Sequence, residues 1–544
     1  MEKVWYKSYP KEVPYHLDYE EITLFELLKK TSLNYPENIA IIFDINEFNQ
    51  ILKYKELYEI VLKLASALIN IGVNMDDKFS FLLPNVPSYI FMYYSVLASG
   101  GVVVNINPEL TAFEIKKYTL DSDSKYIVTF PLILNKILEI PEILNNIEKI
   151  IVDDIYFKVD FNIDNKILHK KVVLLSDLIK YNVFEKEIRN INENINVKEK
   201  LAVLQYTGGT TGVIKAAMLS HFNLVANSKQ IVSWVFEFNP KNNHKTLNIV
   251  PLFHAYGMTV GMNVSVRLAN SMVLLPQFSI EQMLRLISKY RIDFFPGVPA
   301  IYNSISLYAK KSKIDISSIR VCISGAAPLN YEIYKRFTEL TNAKLVEGYG
   351  LSEASPVTHI NPIFDGENKI GTIGLPIPDT DAKVIDIESR EELSINEEGE
   401  LIIKGPQIML GYYKNLEETN NSIKNGYLYT GDIVKMDQDG YFKIIDRKKD
   451  MIIISGFKVF PKEVEEVLYS IKGVVEAVVV GVNHPSKGQI VKAFVVKNDP
   501  NLTENDIIKE CKNKLSQYKI PREIQFVDSL PKNQAGKILK RLLV

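Results

Sequence analysis

A run of glycine, threonine and lysine residues near the middle of the chain has the composition of a phosphate-binding loop. The run is Tyr206-Thr207-Gly208-Gly209-Thr210-Thr211-Gly212-Val213-Ile214-Lys215, between an apolar strand predicted at 201–205 and a helix predicted to begin near Ser220. Its three glycines allow backbone N–H groups to turn inward, three threonine hydroxyls add donors, and Lys215 adds a positive charge. The spacing does not fit a Walker A loop. The composition favours polyphosphate binding, and a flexible turn is the alternative.

This loop resembles the phosphate loop of the adenylate-forming superfamily, which includes acyl-CoA synthetases, luciferases and peptide-synthetase adenylation domains. That family usually has Tyr-Thr-Ser-Gly-Thr-Thr-Gly-x-Pro-Lys-Gly. Here Gly208 replaces the serine, Ile214 the proline and Ala216 the last glycine. The resemblance implies ATP as the nucleotide, and the departures concern the dynamics of the loop more than its binding chemistry.

Five more segments resemble the family's motifs in the same order along the chain. The run Glu347-Gly348-Tyr349-Gly350-Leu351-Ser352-Glu353 is similar to its adenine and metal segment. The resemblance implies that Tyr349 stacks on adenine, Ser352 reaches a phosphate and Glu353 holds Mg²⁺, a hard cation that prefers oxygen ligands. The ATP-binding residues implied by these motifs are Thr207, Gly208, Gly209, Thr210, Thr211, Gly212, Lys215, Gly325, Ala326, Ala327, Glu347, Gly348, Tyr349, Gly350, Asp432 and Arg447.

The segments Tyr429-Thr430-Gly431-Asp432 and Asp446-Arg447-Lys448-Lys449-Asp450 resemble the ribose-binding and hinge segments. An ionised carboxylate can accept two O–H donors at once, as a ribose cis-diol requires. The resemblance therefore implies that Asp432 and Arg447 bind ribose and that Lys449 is the hinge. As a bare sequence, the second segment is a solvated charged linker.

The last two matches lie towards the end of the chain. The run Ser455-Gly456-Phe457-Lys458 looks like the loop that faces coenzyme A (CoA), which implies CoA contacts by Ser455, Gly456 and Lys458. The run Leu530-Pro531-Lys532-Asn533-Gln534-Ala535-Gly536-Lys537-Ile538 resembles the segment whose lysine, here Lys537, drives adenylation. The resemblance thus implies a carboxylic acid that is first joined to AMP and then passed to CoA. The catalytic residues it implies are Lys537, Glu353, Ser352 and His254.

Resemblance also places the acid beside residues 251–259 and 324–328. The first stretch is uncharged and rich in Phe, Tyr, Met and Gly, as a hydrophobic tunnel wall would be, although a buried core helix would have the same composition. His254 is either a gate near the carboxylate or a core histidine. By the same resemblance, Gly350 leaves the acyl pocket open, which favours an acid with a medium or long acyl chain. The implied acyl-binding residues are His254, Tyr256, Gly257, Ser324 and Gly350.

The elements that must position these residues alternate between strands and helices. Apolar strands are predicted at 77–83, 102–106, 127–129, 149–152, 172–175, 246–251 and 272–275, with helices such as 88–98 between them. This rhythm predicts an α/β fold with doubly wound mixed sheets. From about residue 375, strands at 381–386, 399–405 and 441–445 predict a β-rich subdomain.

The final part of the chain carries its own alternation of strands and helices, which predicts a small, mobile α+β C-terminal domain. We expect an N-terminal domain over residues 1–446, a hinge at 447–450 and a C-terminal domain over 451–544. The resemblance covers nearly the whole chain and extends at Trp5-Tyr6-Lys7-Ser8-Tyr9-Pro10 to long-chain fatty-acid CoA ligases.

Composition excludes several classes of protein. The 544 residues carry 64 basic and 65 acidic side chains, so no overall charge favours nucleic acid. Cys322 and Cys511 lack metal-type spacing, Cys322 is expected to be buried, and a disulfide framework is excluded. Prolines and glycines interrupt the uncharged stretches 79–108 and 246–266, which argues against membrane spans. The N-terminus lacks a signal peptide's apolar segment.

These features predict a cytoplasmic AMP-forming ligase that uses ATP, Mg²⁺ and CoA on a fatty acid. Transient membrane contact and a homodimer remain open at this point. The alternatives are an aryl-acid CoA ligase of the 4-coumarate type, an enzyme that loads a carrier protein and a non-catalytic acyl-nucleotide binder. Retention of Glu353, Asp432, Arg447 and Lys537 argues against the last alternative.

Overall fold

The computed structural model describes residues 3–157, 170–207, 214–312, 314–454, 457–484, 488–532 and 538–543. Within these ranges the strands form four sheets. Over the same residues, no helix combines the length and the apolar character needed to cross a bilayer. The two cysteines, Cys322 and Cys511, are buried and unpaired, and the expected burial of Cys322 is confirmed.

The first large sheet has seven described strands, and all neighbours except the last pair run parallel. Six of its strands were predicted from short apolar runs and lie within a few residues of those predictions, whereas the seventh, Lys215–Ser220, was not predicted. Both faces are covered by helices, as buried parallel strands require. In spatial order the strands are Val172–Leu174, Lys149–Val152, Tyr126–Thr129, Lys78–Phe81, Val102–Asn105, Leu201–Thr207 and Lys215–Ser220.

The second large sheet has nine described strands, with a parallel centre and antiparallel pairs at both edges. It shares one large hydrophobic core with the first sheet. In spatial order its strands are Leu375–Pro376, Val357–Ile360, Lys344–Gly350, Val321–Ser324, Phe294–Gly297, Lys245–Asn248, Ser271–Leu274, Ile39–Ile45 and Phe48–Lys53. The predicted doubly wound α/β class with mixed sheets is confirmed.

Helices cover the two large sheets, and several begin at a capping side chain. Thr111 and Ser220 form capping boxes, in which hydroxyl and N3 side chain satisfy backbone N–H groups at the helix start. A π-helix, Gly257–Asn263, precedes Val264–Arg267. The other α-helices up to residue 341 are Leu24–Asn34, Tyr54–Asn70, Pro87–Ala98, Ala112–Asp121, Pro131–Leu138, Pro141–Asn146, Leu175–Leu178, Glu185–Glu193, His221–Trp234, Ile280–Tyr290, Pro299–Ser312 and Tyr331–Thr341.

The subdomain predicted to be β-rich forms a sheet within residues 381–447 that is antiparallel among its described strands. Its last strand extends to Arg447, two residues beyond the predicted end, because Asp432 and Arg447 still pair across the ladder. The strands are Asp381–Ile385, Gly399–Lys404, Ile423–Lys424, Tyr427–Met436 and Phe442–Arg447, with the helix Leu416–Ser422 packed alongside.

The C-terminal sheet begins after the short 3₁₀ turn Lys448–Asp450. It has its own apolar core under the helices Pro461–Tyr469 and Glu504–Lys514, so the predicted smaller α+β unit is confirmed. Its described strands are Phe457–Val459, Ile452–Ile454, Gly488–Lys497, Val474–His484 and Glu523–Phe526.

The N-terminal segment packs against the subdomain sheet. Trp5 is 4% exposed and meets Phe442 edge to face, with ring centroids 6.2 Å apart. Gly440 makes room for this contact, because a Cβ added there would lie 2.4 Å from the Trp5 Cα. The first residues of the described chain thus help to fix a strand that carries Arg447.

We expect Trp5→Ala to destabilise the protein, because truncating a buried aromatic side chain leaves a cavity and costs about 3–5 kcal/mol. The matched control is Tyr331→Ala, which removes an aromatic ring that is 56% exposed. Thermal denaturation of both variants measures the effect. A melting temperature of Trp5→Ala equal to that of Tyr331→Ala would contradict this packing role.

Candidate active site

A cavity of about 690 Å³ opens between the two large sheets. It lies at the carboxyl ends of parallel strands, which is where open α/β sheets bind ligands. Pro84 follows the strand Lys78–Phe81, Val250 follows Lys245–Asn248, and Pro276 follows Ser271–Leu274. Apolar side chains dominate this part of the wall, among them Ile231, Ile249, Val250, Phe253, Val260, Phe278, Val298 and Ile301.

At one end the cavity wall becomes polar backbone and short side chains. The strands Val321–Ser324 and Lys344–Gly350 run parallel, with Ser324 opposite Glu347, so their ends place Gly325 beside Gly348. The predicted residues that line this end are Gly325, Ala326, Gly348, Tyr349, Gly350 and Ser352. Ala327 and Glu347 do not line the cavity. This end is suited to a ligand with a flat ring and polar edges.

Burial raises the pKa of Glu347, which is 8% exposed, to about 7. Its Oε2 accepts a hydrogen bond from the Leu329 backbone N–H at 3.2 Å, and the charge of Lys462 opposes the shift. Since Lys462 belongs to the helix Pro461–Tyr469, the C-terminal unit contributes to the electrostatics behind the cavity.

Asp432 lies 3% exposed between two partners. Its Oδ2 accepts a hydrogen bond from the Tyr349 hydroxyl, and its Oδ1 lies 2.8 Å from the Arg447 Nε. Burial, followed by the charge of Asp432, holds the pKa of Tyr349 well above its usual value. The structure therefore brings together Tyr349, Asp432 and Arg447, and each carboxylate oxygen keeps a further lone pair for an incoming donor.

Glu353 is held by a residue that the sequence did not single out. The Tyr412 hydroxyl donates to Glu353 Oε1 at 2.8 Å. No group of three or more His, Cys, Asp or Glu side chains that could form a protein cage for a metal occurs among the described residues. A single carboxylate with one oxygen engaged fits Mg²⁺, which keeps waters and binds through few protein ligands plus substrate phosphates.

The phosphate loop differs from its predicted setting. Lys215 begins the strand Lys215–Ser220, which pairs antiparallel with Leu201–Thr207, so the loop closes a β-hairpin and does not lead directly into a helix. The helix predicted near Ser220 begins at His221. Thr207 and Lys215 face each other across the hairpin. Gly208, Gly209, Thr210, Thr211 and Gly212 lie outside the described residues.

The predicted acyl-binding residues divide into two groups. His254, Tyr256 and Gly350 line the cavity, but Gly257 and Ser324 do not. Gly257 is buried where a Cβ would lie 2.2 Å from the Pro251 oxygen, and Ser324 is fully buried in its strand. Neither residue lines the cavity in this structure, so acyl contacts by Gly257 and Ser324 stay predictions.

His254 lies deep in the protein, with much of its ring open to the cavity. Burial lowers the pKa of His254 to about 4, so the imidazole is neutral at pH 7. Of the two sequence interpretations, the cavity position favours a gate over a core histidine.

Gly350 has a second structural explanation. A Cβ added at Gly350 would lie 2.2 Å from the Pro356 oxygen. A side chain at this position would therefore strike the backbone before it could narrow the cavity. The close approach of these two chain segments therefore requires glycine here, independently of any effect of Gly350 on the size of the pocket.

The C-terminal predictions are only partly within the described chain. Lys449 lies in the turn between the subdomain and C-terminal sheets. Lys458 pairs with Ile453 across two antiparallel strands, but the Lys458 side chain is not among the described parts of the chain. Ser455, Gly456 and Lys537 also lie outside the described residues. Lys532, which precedes this last gap, lines the cavity and forms a β-bridge with Ile538 on its other side.

Tyr412, Glu418 and Lys532 are site residues that sequence reasoning missed. Glu418 lies 2.5 Å from Lys215, through Oε1 and Nζ. The segment containing Tyr412 is positioned by backbone pairing with the hairpin, in which Met218 N–H donates to Gly411 O and Tyr413 N–H to Ala216 O. A single sequence gives no signal for such a pairing across nearly 200 residues, other than the aromatic pair Tyr412-Tyr413 beside a glycine.

We expect Glu347→Gln to stabilise the protein more at pH 8 than at pH 5. A carboxyl group whose pKa is raised by folding destabilises the folded protein when it is ionised. This destabilisation is absent below the unfolded pKa near 4.5 and grows as pH rises to the folded pKa near 7. Above pH 7 the gain is up to about 3 kcal/mol. Melting temperatures at both pH values measure it, with the exposed Glu339→Gln as control. A gain that is independent of pH would contradict the assignment.

Comparison with known proteins agrees with this geometry. The family described as AMP-binding enzyme matches residues 28–413, and the one described as AMP-binding enzyme C-terminal domain matches residues 463–537. A long-chain-fatty-acid–CoA ligase of Bacillus subtilis (strain 168) is 38% identical over 100% of this chain and 98% of its own. A probable 4-coumarate–CoA ligase of Dictyostelium discoideum is 34% identical over 88% of each chain.

Among solved structures, ATP-bound MatB from Rhodopseudomonas palustris superimposes with a TM-score of 0.82. The two chains are 28% identical, and the match covers 96% of this chain and 98% of MatB. The resemblance drawn from the sequence motifs is confirmed: this chain belongs to the AMP-binding enzyme family and carries that family's C-terminal domain.

Proposed function

We propose that the protein is an ATP-dependent acyl-CoA synthetase that acts on medium- or long-chain fatty acids. The observation that carries the proposal is a cavity whose apolar wall leads to Tyr349, which hydrogen-bonds to Asp432 beside Arg447. An alkyl chain fits the apolar wall, while adenine and ribose fit the polar end. The fatty-acid ligase relative, matched along its length, supports the same substrate class.

A free carboxylate is a poor acyl donor because its leaving group would be oxide. Attack of the carboxylate oxygen on the ATP α-phosphorus forms an acyl-adenylate and releases pyrophosphate. The CoA thiol then attacks the acyl carbon, a C–S bond forms, and AMP leaves. Both reactants of the first step are anions, so this chain's residues contribute mainly position and charge.

The contacts at the polar end support the nucleotide roles that the family motifs imply. Tyr349 stacks on adenine, and the free lone pairs of Asp432 accept the two ribose hydroxyls beside Arg447. Thr207, the loop that follows it and Lys215 bind the β- and γ-phosphates, and Ser352 donates to a phosphate oxygen. Glu353 would hold Mg²⁺, which would neutralise charge on the phosphates.

Lys537 is the proposed catalytic lysine, which lies between the substrate carboxylate and the α-phosphate. Two observations support it: Lys532 lines the cavity, and the β-bridge from Lys532 to Ile538 brings both flanks of residues 533–537 to one place. His254, neutral at pH 7, contacts the acid near its carboxylate. Tyr256 and the apolar wall contact the chain.

The second half-reaction requires access for the CoA thiol. We infer a hinge at 447–450, with Lys449 at its pivot, between an N-terminal domain of residues 1–446 and a C-terminal domain of residues 451–544. The turn Lys448–Asp450 between two separate sheets supports this division. Rotation about it withdraws Lys537 and brings Ser455, Gly456 and Lys458 towards CoA.

We expect CoA-dependent pyrophosphate release to become more efficient as the acyl chain lengthens. Each buried methylene contributes about 0.8 kcal/mol, so KM falls about fourfold per methylene until the cavity is full. Assays with saturated acids from acetate to palmitate, with and without CoA, measure this trend. Higher activity with 4-coumarate, or acyl transfer only to a carrier protein, would favour a rival enzyme. No pyrophosphate release with any acid would refute the proposal.

We expect Lys537→Ala to slow adenylate formation and largely spare thioester formation from pre-formed acyl-AMP. Unit charges about 4 Å apart at an effective dielectric near 20 interact by roughly 4 kcal/mol, about a thousandfold in rate. Labelled pyrophosphate exchange measures the first step, and CoA consumption from acyl-AMP measures the second. Lys512→Ala, exposed on the helix Glu504–Lys514, is the control. Equal loss in both steps would contradict the domain alternation.

A further inference from the structure

The Lys215 ammonium group already has an anionic partner. Its Nζ lies 2.5 Å from Glu418 Oε1, and the two side chains are 22% and 30% exposed. Lys215 opens the strand on the exit side of the phosphate loop. The cation that the proposed function assigns to phosphate is therefore paired with a carboxylate in this structure.

Glu418 is fixed by its own helix. Asn415 Oδ1 accepts a hydrogen bond from the Glu418 backbone N–H at 3.0 Å, and the Ser422 hydroxyl donates to Glu418 Oε1 at 3.4 Å. Thr419, the next residue, accepts from the Tyr412 N–H through its hydroxyl at 2.8 Å. These bonds hold the carboxylate against the hairpin, so the pair is built into the fold.

The ion pair adjoins the proposed metal ligand. Lys215 Nζ lies 5.6 Å from the centroid of the Tyr412 ring, and the Tyr412 hydroxyl binds Glu353. One tyrosine thus separates the lysine–glutamate pair from the carboxylate assigned to Mg²⁺. A phosphate chain bound between Lys215 and Glu353 would lie within reach of the negative charge on Glu418.

We propose that Glu418 is a positioning residue that competes with pyrophosphate for Lys215. In the nucleotide-free enzyme it holds the ammonium group in place. Phosphate oxygens of ATP displace its carboxylate, and the carboxylate takes the ammonium group back as pyrophosphate leaves. This role rests on the proposed function, since it requires Lys215 to bind the phosphates.

The sign of the effect separates this role from simple support of Lys215. Removing the Glu418 charge leaves the Lys215 ammonium group unpaired and abolishes the repulsion between Glu418 and the phosphates. ATP and pyrophosphate therefore both bind more tightly. A half-exposed ion pair has a modest strength, which predicts an effect of about three- to fivefold. If Glu418 merely oriented Lys215, the same change would weaken binding.

The test compares Glu418→Gln with Glu417→Gln, the exposed neighbour on the same helix, which makes the same change in charge. The measurements are the inhibition constant of inorganic pyrophosphate and the KM for ATP during acyl-CoA formation. We expect Glu418→Gln to lower the inhibition constant of pyrophosphate about three- to fivefold and also to lower the KM for ATP. The variant should have a reduced kcat, because pyrophosphate is released more slowly. Glu417→Gln should match the unmodified protein.

A second pair of variants removes any effect of folding. In a Lys215→Ala background, Glu418→Gln should strengthen pyrophosphate inhibition by less than it does with Lys215 present, because only the repulsion is removed and no cation remains to compete for. Glu418→Asp, which keeps the negative charge, should show pyrophosphate inhibition as weak as that of the unmodified protein. It can be measured even if Glu418→Gln fails to fold. Pyrophosphate inhibition that is unchanged or weakened in Glu418→Gln would overturn the proposal. Failure of the unmodified protein to form acyl-CoA with any acid would instead overturn the proposed function.

Discussion

The buried carboxylate of Asp432 is the contact on which the active site depends. It joins three elements: its own strand, the strand of Tyr349 in the nine-stranded sheet and the strand of Arg447 that leads to the proposed hinge. A buried charge is costly unless it is paired and hydrogen-bonded, so the three elements must remain together for the fold to persist. The contacts proposed to present polar groups to a nucleotide thus also hold the subdomain sheet against the main sheets.

Much of the fold could be predicted from local patterns. Short apolar runs such as Lys149–Val152 match their strands, because burial on both faces of a parallel sheet leaves a continuous apolar signature. The hairpin after Thr207 could not be predicted, because Lys215–Ser220 is short and reads as the approach to a helix. Its strand character comes from pairing with Leu201–Thr207 and with residues near Tyr412.

The candidate site could be predicted where family motifs name the residues. It could be predicted less well where tertiary packing decides which residues meet. Tyr349, Asp432 and Arg447 come together as their motifs imply. Ser324 and Gly257 do not line the cavity, because a motif gives proximity in sequence and not the direction in which a residue faces. Tyr412 and Glu418 act only through partners distant in the chain. Oligomeric state, membrane contact and cytoplasmic location stay predictions, since they depend on partners outside a single chain.

The contact between Trp5 and Phe442 also constrains how the molecule is assembled in time. During synthesis, Trp5 emerges more than 400 residues before its partner strand, which at 5–20 residues per second is a delay of roughly 20 to 90 s. Until then this indole, 4% exposed in the finished fold, has no strand to cover it. The early segment must therefore wait, solvent-exposed or shielded by a chaperone, and closing so long a loop makes the contact a late event in folding.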